Sequence, residues 1–326
     1  SKADDNVKKL VKQFIAFSDN RQAAAFFASY LQYTYNATIV KCIFAEIINE
    51  KTEWSFNDFI KEVTIKIGKS GYNLEQISTS YDCDSWIYVL NEMSNFKAKN
   101  SLQSLGIMQF DVDLDSDDCI SDLPEYNLKT VEETKTLFRI LFRDMMHDSA
   151  VTVGTSLSEA DWQRISVSGF RRSYTQSTTN NKKLIAWLPE ERKTNRRIKT
   201  VCKLLDISEE KASELLNGLW NHFTEENSFL KKDGQNGYLL DHSLLTVKKV
   251  DKLYCCSECM KITPYNLNDR CENPNCNGIL HIYNAETSKR SAHYRDLYKN
   301  LEIVPMKVAE HTAQLSADTA AEYQRD

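Results

Sequence analysis

Glycine and proline are scarce in this chain, nine and five in 326 residues. A β-sandwich draws on both for its frequent turns, so their scarcity argues for a largely helical chain. Long apolar runs are missing too. No stretch approaches the roughly 20 residues of a membrane span, and no secretory leader is recognisable, so no membrane partner is expected. Charge of one sign is also missing. The 41 Lys and Arg stand against 46 Asp and Glu, a formal net charge of −5, so any basic surface has to be local.

Two nucleotide and cation motifs fall short. Gly68-Lys69-Ser70 looks like the end of a P-loop, but Val63 stands where the first glycine belongs. The acidic alternation of Asp111, Asp113, Asp115 and Asp117 resembles a calcium loop. It has Ser116 in place of the turn glycine and lacks the closing bidentate Glu. A solvated acidic loop is expected there instead.

What is present begins with an apolar run, Phe14 to Phe17, short enough for a buried strand. Ser18 and Asp19 then offer a cap for a helix whose Ala24, Phe27 and Leu31 recur at helical spacing. A strand, a polar turn and a helix N-terminus make an anion site, to which Arg21 adds a fork suited to phosphate. Further helical text comes next. Ile39, Cys42, Ile43, Ala45 and Ile48 share one face; a helix is expected to begin at Trp54, and another covers residues 81–95. Residues 101–128 are less regular. Residues 131–146 form the clearest amphipathic helix, with Leu137, Ile140, Leu141 and Met145 as its stripe. These helices are expected to pack as a bundle. The polar run 173–181 reads as a turn or a boundary.

Residues 194–205 and 209–226 read as two helices, the second capped by Ser208. A hairpin is expected over 229–240, with Asp233-Gly234 or Asn236-Gly237 at its tip. Two helices and a hairpin suggest a winged helix. Such a module lays basic side chains on phosphates; here Arg196, Arg197, Lys199 and Lys203 lie on the first helix, Lys231 and Lys232 lie beside the wing, and Arg196, Arg197, Lys231 and Lys232 are the candidates. The balance over 182–252 is nonetheless only 14 Lys and Arg against 11 Asp and Glu, and the second helix is acidic. A purely structural module fits about as well.

The most specific chemistry belongs to Cys256, Cys259, Cys271 and Cys276. Two pairs at short spacing, 11 residues apart, place four thiolates on two tight turns, the pattern of a zinc ribbon. Cys255 competes with Cys256, but only Cys256 leaves two residues before Cys259. Four protein ligands leave no open position, so the zinc is expected to be structural, and its chelation to unfold the ribbon locally. Nine cysteines in all, an odd number, fit a reducing cytoplasm better than a disulfide framework.

Phe17-Ser-Asp-Asn-Arg-Gln-Ala-Ala-Ala-Phe-Phe-Ala28 resembles the first strand–turn–helix, motif IV, of the second RecA-like domain of prokaryotic superfamily 2 DEAD/DEAH-box helicases. That group includes large helicases of DNA repair and of anti-phage defence systems of the Druantia and DISARM kind. A second match covers His293-Tyr-Arg-Asp-Leu-Tyr298, Val308-Ala-Glu-His-Thr-Ala-Gln-Leu-Ser316 and residues 320–326. A cysteine ribbon ahead of a His-Tyr-Arg segment is also part of that group's pattern.

The resemblance implies an α+β chain, mainly helical with small β elements: a partial RecA-like unit split by a large insertion. Residues 1–35 and 286–326 would be its two parts. Between them would lie a helical segment (36–180), a winged helix (181–250) and the zinc ribbon (251–285). Ser18, Asp19, Asn20, Arg21 and Gln22 would form one loop on the phosphates of a nucleic acid, expected to be DNA. His311, Thr312, Gln314 and Ser316 would form another. The chain departs from the family in lacking a Walker A, an Asp-Glu box and an arginine-rich motif VI. ATP and Mg2+ would therefore belong to a full-length protein, of which this chain, ending at Asp326 in what reads as mid-helix, is expected to be a fragment. Partner subunits of a defence or repair complex are further expectations. A winged-helix and zinc-ribbon DNA-binding regulator, or a protein-interaction scaffold, would explain the middle of the chain but neither end.

Overall fold

The structure, a computed structural model, describes residues 21–69, 74, 76–114, 122–166, 168–190, 193–225, 229–289 and 292–301, with side chains from residue 34 onward. The chain divides into two units, Thr38–Val304 and a second formed of Ser1–Ala37 with Pro305–Asp326. Of the second unit, only part of one helix is described.

Helix α1 (Arg21–Glu50) runs unbroken into the segment read as separate helical text. Its Ile39, Ile43, Phe44, Ile47 and Ile48 are at most 1% exposed. Strand β1 (Glu53–Ser55) then leads into α2 (Phe56–Ile67). Trp54, expected to open that helix, lies in β1 opposite Val247. Ser55 is the cap that delays the helix, its hydroxyl accepting from the Asp58 N–H. Ser80 caps α3 (Tyr81–Ser94) in the same way.

Strand β2 (Met108–Val112) is buried throughout. Met108, Phe110 and Val112 do alternate with Gln109 and Asp111, but the neighbouring aspartates draw the reading toward a solvated loop, whereas here the polar face is buried too. Asp111 is therefore not part of a solvated acidic loop. It is 2% exposed and paired with Lys248 at 2.6 Å and with the Tyr265 hydroxyl at 2.9 Å.

Helix α4 (Val131–His147) opens on a capping box of Thr130 and Glu133, and Leu137, Ile140, Leu141 and Met145 are buried as its stripe required. A short helix, α5 (Glu159–Ile165), precedes strands β3 (Ser173–Thr175) and β4 (Leu184–Ala186). The run read as turn-like thus holds a strand. Tyr174 at its centre is 1% exposed and donates its hydroxyl to Asp148 at 2.7 Å.

Helix α6 (Arg196–Leu205) is capped by Asn195 and α7 (Glu209–Thr224) by Ser208. The hairpin of β5 (Leu230–Asp233) and β6 (Gly237–Leu240) closes on the Asp233–Gly237 pair, with Gly234 at φ +69° taking the left-handed position of the turn. Strand β7 (Leu245–Lys249) comes next. The sheets have the orders β1-β7-β2 and β4-β3-β6-β5. Both draw strands from residues 36–180 and from beyond 180. The expected helical segment and the hairpin module are therefore interleaved, and the former is not a pure bundle. Phe142 and Phe223 approach to 4.6 Å between ring centroids, and Phe142 and Phe229 to 5.2 Å, tying α4 to α7 and the hairpin.

A third sheet, β10-β8-β9, is built from β8 (Tyr254–Cys256), β9 (Ile262–Thr263) and β10 (Leu280–Ile282), before the closing helix α8 (Ala292–Asn300). The described chain is thus a mixture of helices and small sheets, an α+β architecture. No described helix is long and apolar enough to cross a membrane.

Candidate metal centre

Cys256 ends β8 and Cys259 lies in the turn toward β9. That turn is closed by the Cys256 N–H bonding Lys261 O at 3.0 Å and the Met260 N–H bonding Cys256 O at 3.2 Å. Met260 takes a φ of +57° to complete it. Cys271 and Cys276 sit on the loop between β9 and β10, and β10 returns beside β8 with Leu280 opposite Cys256. The two turns are stitched together by the Ser257 N–H to Ile279 O at 2.9 Å and the Ile279 N–H to Ser257 Oγ at 3.1 Å.

The four sulfurs lie within 4.8 Å of one another. Cys256 and Cys276 are separated by 3.5 Å, as are Cys259 and Cys271. A disulfide would need about 2.05 Å. A tetrahedron of thiolates on zinc, with bonds near 2.3 Å, has edges of about 3.8 Å. The 3.5 Å separations are too long for disulfides and close to the edge of such a tetrahedron. Cys255, adjacent in sequence, is outside the set, with its thiol 3.7 Å from Cys256 O.

The backbone is shaped for thiolates. Burial raises the Cys256 thiol, but the N–H groups of Glu258 and Cys259 aimed at it overcome that and bring it down to about 7. The Gly278 N–H lies 3.4 Å from Cys276 Sγ. Burial pushes the Cys271 thiol up, so keeping all four sulfurs ionised would take a cation among them. Gly278 is demanded by space: a Cβ there would lie 2.4 Å from Cys256 Sγ and 2.9 Å from Glu258 N. The set can hold a soft metal ion such as zinc, and with four protein ligands it is closed to substrate.

The loop that carries Cys271 and Cys276 is clamped to the helices. Lys203 of α6 donates to Asn273 O at 3.0 Å and also to Cys276 O. Arg270 donates to Lys203 O at 2.5 Å, and Asn268 to Leu204 O at 2.9 Å. Glu272, directly after Cys271, is 5% exposed. It pairs with Arg143 of α4, with Lys261 at 2.7 Å and with the Thr263 hydroxyl at 2.5 Å. Burial alone would raise this carboxyl; the charges of Arg143 and Lys261 and these hydrogen bonds hold it down to about 2.

The other expected site residues fare differently. Ser18, Asp19, Asn20, His311, Thr312, Gln314 and Ser316 lie outside the described residues. Arg21 and Gln22 open α1, and their side chains lie outside the description. Arg197 is turned inward. Its guanidinium lies 4.2 Å from the Trp187 ring centroid and donates to Trp187 O at 2.8 Å, so it is spent on the core rather than on phosphate. Arg196 and Lys232 are exposed, whereas Lys231 lies 3.6 Å from the Asp241 carboxylate. Arg143 and Glu272 were not legible as site residues, and Lys203 was legible only as one of the basic residues of its helix, not as a clamp on the ribbon. The only hint was the position of Glu272 beside a cysteine.

Scans of family models, of curated proteins and of solved structures returned no match to this chain.

Proposed function

We propose that this chain is the nucleic-acid-contacting part of an ATP-dependent superfamily 2 helicase or translocase, built around a structural zinc ion. The observation that carries the reading is the closed four-thiol set, whose second turn is fastened to α6 by Lys203, Arg270 and Asn268. A zinc ion with no open position binds no substrate. It fixes a surface, here the one that α6 shares with the ribbon. The succession α6–α7–β5–β6 supports a winged helix. Phe17–Ala28 and Val308–Ser316 support the RecA-like unit through their resemblance. On this reading ATP is bound by the longer protein, the partner is DNA, and the setting is a repair or anti-phage complex.

The free-standing regulator fits less well. The inward Arg197 and the acidic first turn of α7 leave the helix pair poor in base-reading side chains.

The test is direct. The purified chain should contain one zinc by elemental analysis. It should bind single-stranded and duplex DNA with little sequence preference and strong salt dependence. It should hydrolyse no ATP alone. Absence of binding to DNA and RNA alike would sink the proposal, and strong preference for one duplex sequence would select the regulator.

A further inference from the structure

A second cluster of charge lies where the ribbon meets the helices, and the metal centre does not use all of it. The Phe96 ring is its floor. Lys97 Nζ lies 5.3 Å from the ring centroid and the Arg143 guanidinium 4.9 Å from it. Arg143 and Lys261 both reach Glu272, which is enclosed beneath them. Helix α6 starts at Arg196, and one turn on, Thr200 donates to Glu272 O at 3.3 Å, so the N-terminal turn of α6 faces the same loop. Lys97 and Arg143 thus share the Phe96 ring, Arg143 and Lys261 share Glu272, and Arg196 opens the helix whose Thr200 bonds the same loop. Burial, then the charges of Arg196, Lys261 and Arg143, outweigh Asp144 and pull the Lys97 ammonium down to about 8.

We propose that Lys97, Arg196 and Lys261 form a phosphodiester site that grips the backbone of a nucleic-acid strand at the junction of the ribbon and α6. The inference deepens the nucleic-acid reading above and rests on it. Lys97 is crowded on its Phe96 side yet open to solvent, Arg196 is exposed, and Lys261 is partly so. The three can therefore reach a strand, while Arg143 and Glu272 beneath them hold the platform. An anion here relieves the mutual repulsion of the cations, which is the physical reason for affinity. The contacts are to the backbone, so the site is indifferent to sequence.

The experiment compares the chain with Lys97→Ala, Arg196→Ala and the double variant. A labelled mixed-sequence DNA strand is titrated by fluorescence anisotropy over a range of salt. The double variant should lose about tenfold in affinity at low salt, and the slope of log K against log salt should fall by about 2, roughly one per lost phosphate contact. Lys97→Arg should bind as the unaltered chain does. Zinc content and melting temperature should stay unchanged in all variants. An unaltered chain that binds DNA, with a double variant of the same affinity and slope, overturns the phosphodiester site and leaves the proposed function standing. Failure of the unaltered chain to bind DNA or RNA overturns both. Displacement of the strand by low concentrations of inorganic phosphate would assign the patch to small phosphates instead and overturn the strand proposal.

Discussion

Arg143 and Glu272 form a buried ion pair across 129 positions of sequence, joining α4 to the residue directly after Cys271 of the four-thiol set. Each side chain is at most 5% exposed. Neither would tolerate burial alone, because an uncompensated charge in a low-dielectric interior costs several kcal/mol. The pair therefore couples the packing of the helices to the closure of the ribbon's second turn.

Replacing one partner should cost more than replacing both. Glu272→Gln leaves the Arg143 guanidinium buried without its counter-ion, and a loss of about 3–5 kcal/mol is expected. Arg143→Met with Glu272→Met removes both charges and should recover a good part of it. Denaturant unfolding of the single and double variants gives the comparison. A double variant that loses the sum of the Glu272→Gln and Arg143→Met losses would show that the charges are not coupled.

The same pair changes the expected effect of metal removal. Read from sequence, the ribbon is a separate module, and chelation should unfold it alone. In the structure its second turn is bonded to α6 through Lys203, Arg270 and Asn268, and to α4 through Glu272. Chelation should therefore raise amide exchange at the C-terminal turn of α6 as well as at residues 254–282. Exchange by mass spectrometry before and after chelation reads this. A change confined to the ribbon would restore the modular picture.

The range of each signal decided what was legible. The stripe of α4, the Ser208 cap and the cysteine pairs are local patterns, and the structure carries all of them. Strand β2 alternates apolar and polar residues, yet it was missed because its aspartate reads with the acidic run that follows, and Asp111 looked solvated because its partners Lys248 and Tyr265 are far along the chain. Arg197 looked like a phosphate ligand for the same reason. The aromatic rings that hold it, Trp187 and Tyr174, belong to segments that α6 meets only on folding.

Two glycines offer a matched test of space. Gly278→Ala would drive a Cβ to 2.4 Å from Cys256 Sγ, so metal affinity should fall steeply. Gly218 lies inside α7 with nothing within 4 Å of an added Cβ, so Gly218→Ala should stabilise the chain by about 1 kcal/mol. Zinc competition with a chromogenic chelator and thermal unfolding separate the two effects. A Gly278→Ala chain with undiminished affinity would mean that the turn is looser than its contacts indicate.

The choice of ligand among adjacent cysteines is equally open to test. Cys256→Ser should release the metal, whereas Cys255→Ser should retain it, because the Cys255 thiol lies outside the four-sulfur set. The reverse result would shift the register of β8 by one residue and turn its side chains to the opposite face.

Stability should also fall in mild acid, through two histidines away from the ribbon. His242 is hydrogen-bonded to Thr152 at 2.7 Å and meets the Trp86 ring edge-on at 5.3 Å. Burial lowers it below its ordinary 6.5, against the pull of Asp241. His147 is lowered likewise, by burial first and then by Lys97. In both cases the unfolded chain takes up the proton first. The contribution is intact well above pH 6.5 and declines as pH drops below that value toward the depressed folded one. Denaturant midpoints should therefore decrease between about pH 7.5 and 5.5. Metal release would add to the same decline, so the informative quantity is the difference between the chain and His242→Asn. The variant starts less stable but should lose less over the interval, since one of the two protons no longer distinguishes its states. Parallel pH profiles for the two proteins would show that His242 titrates alike folded and unfolded, and that its packing against Trp86 and Phe56 carries no penalty for charge.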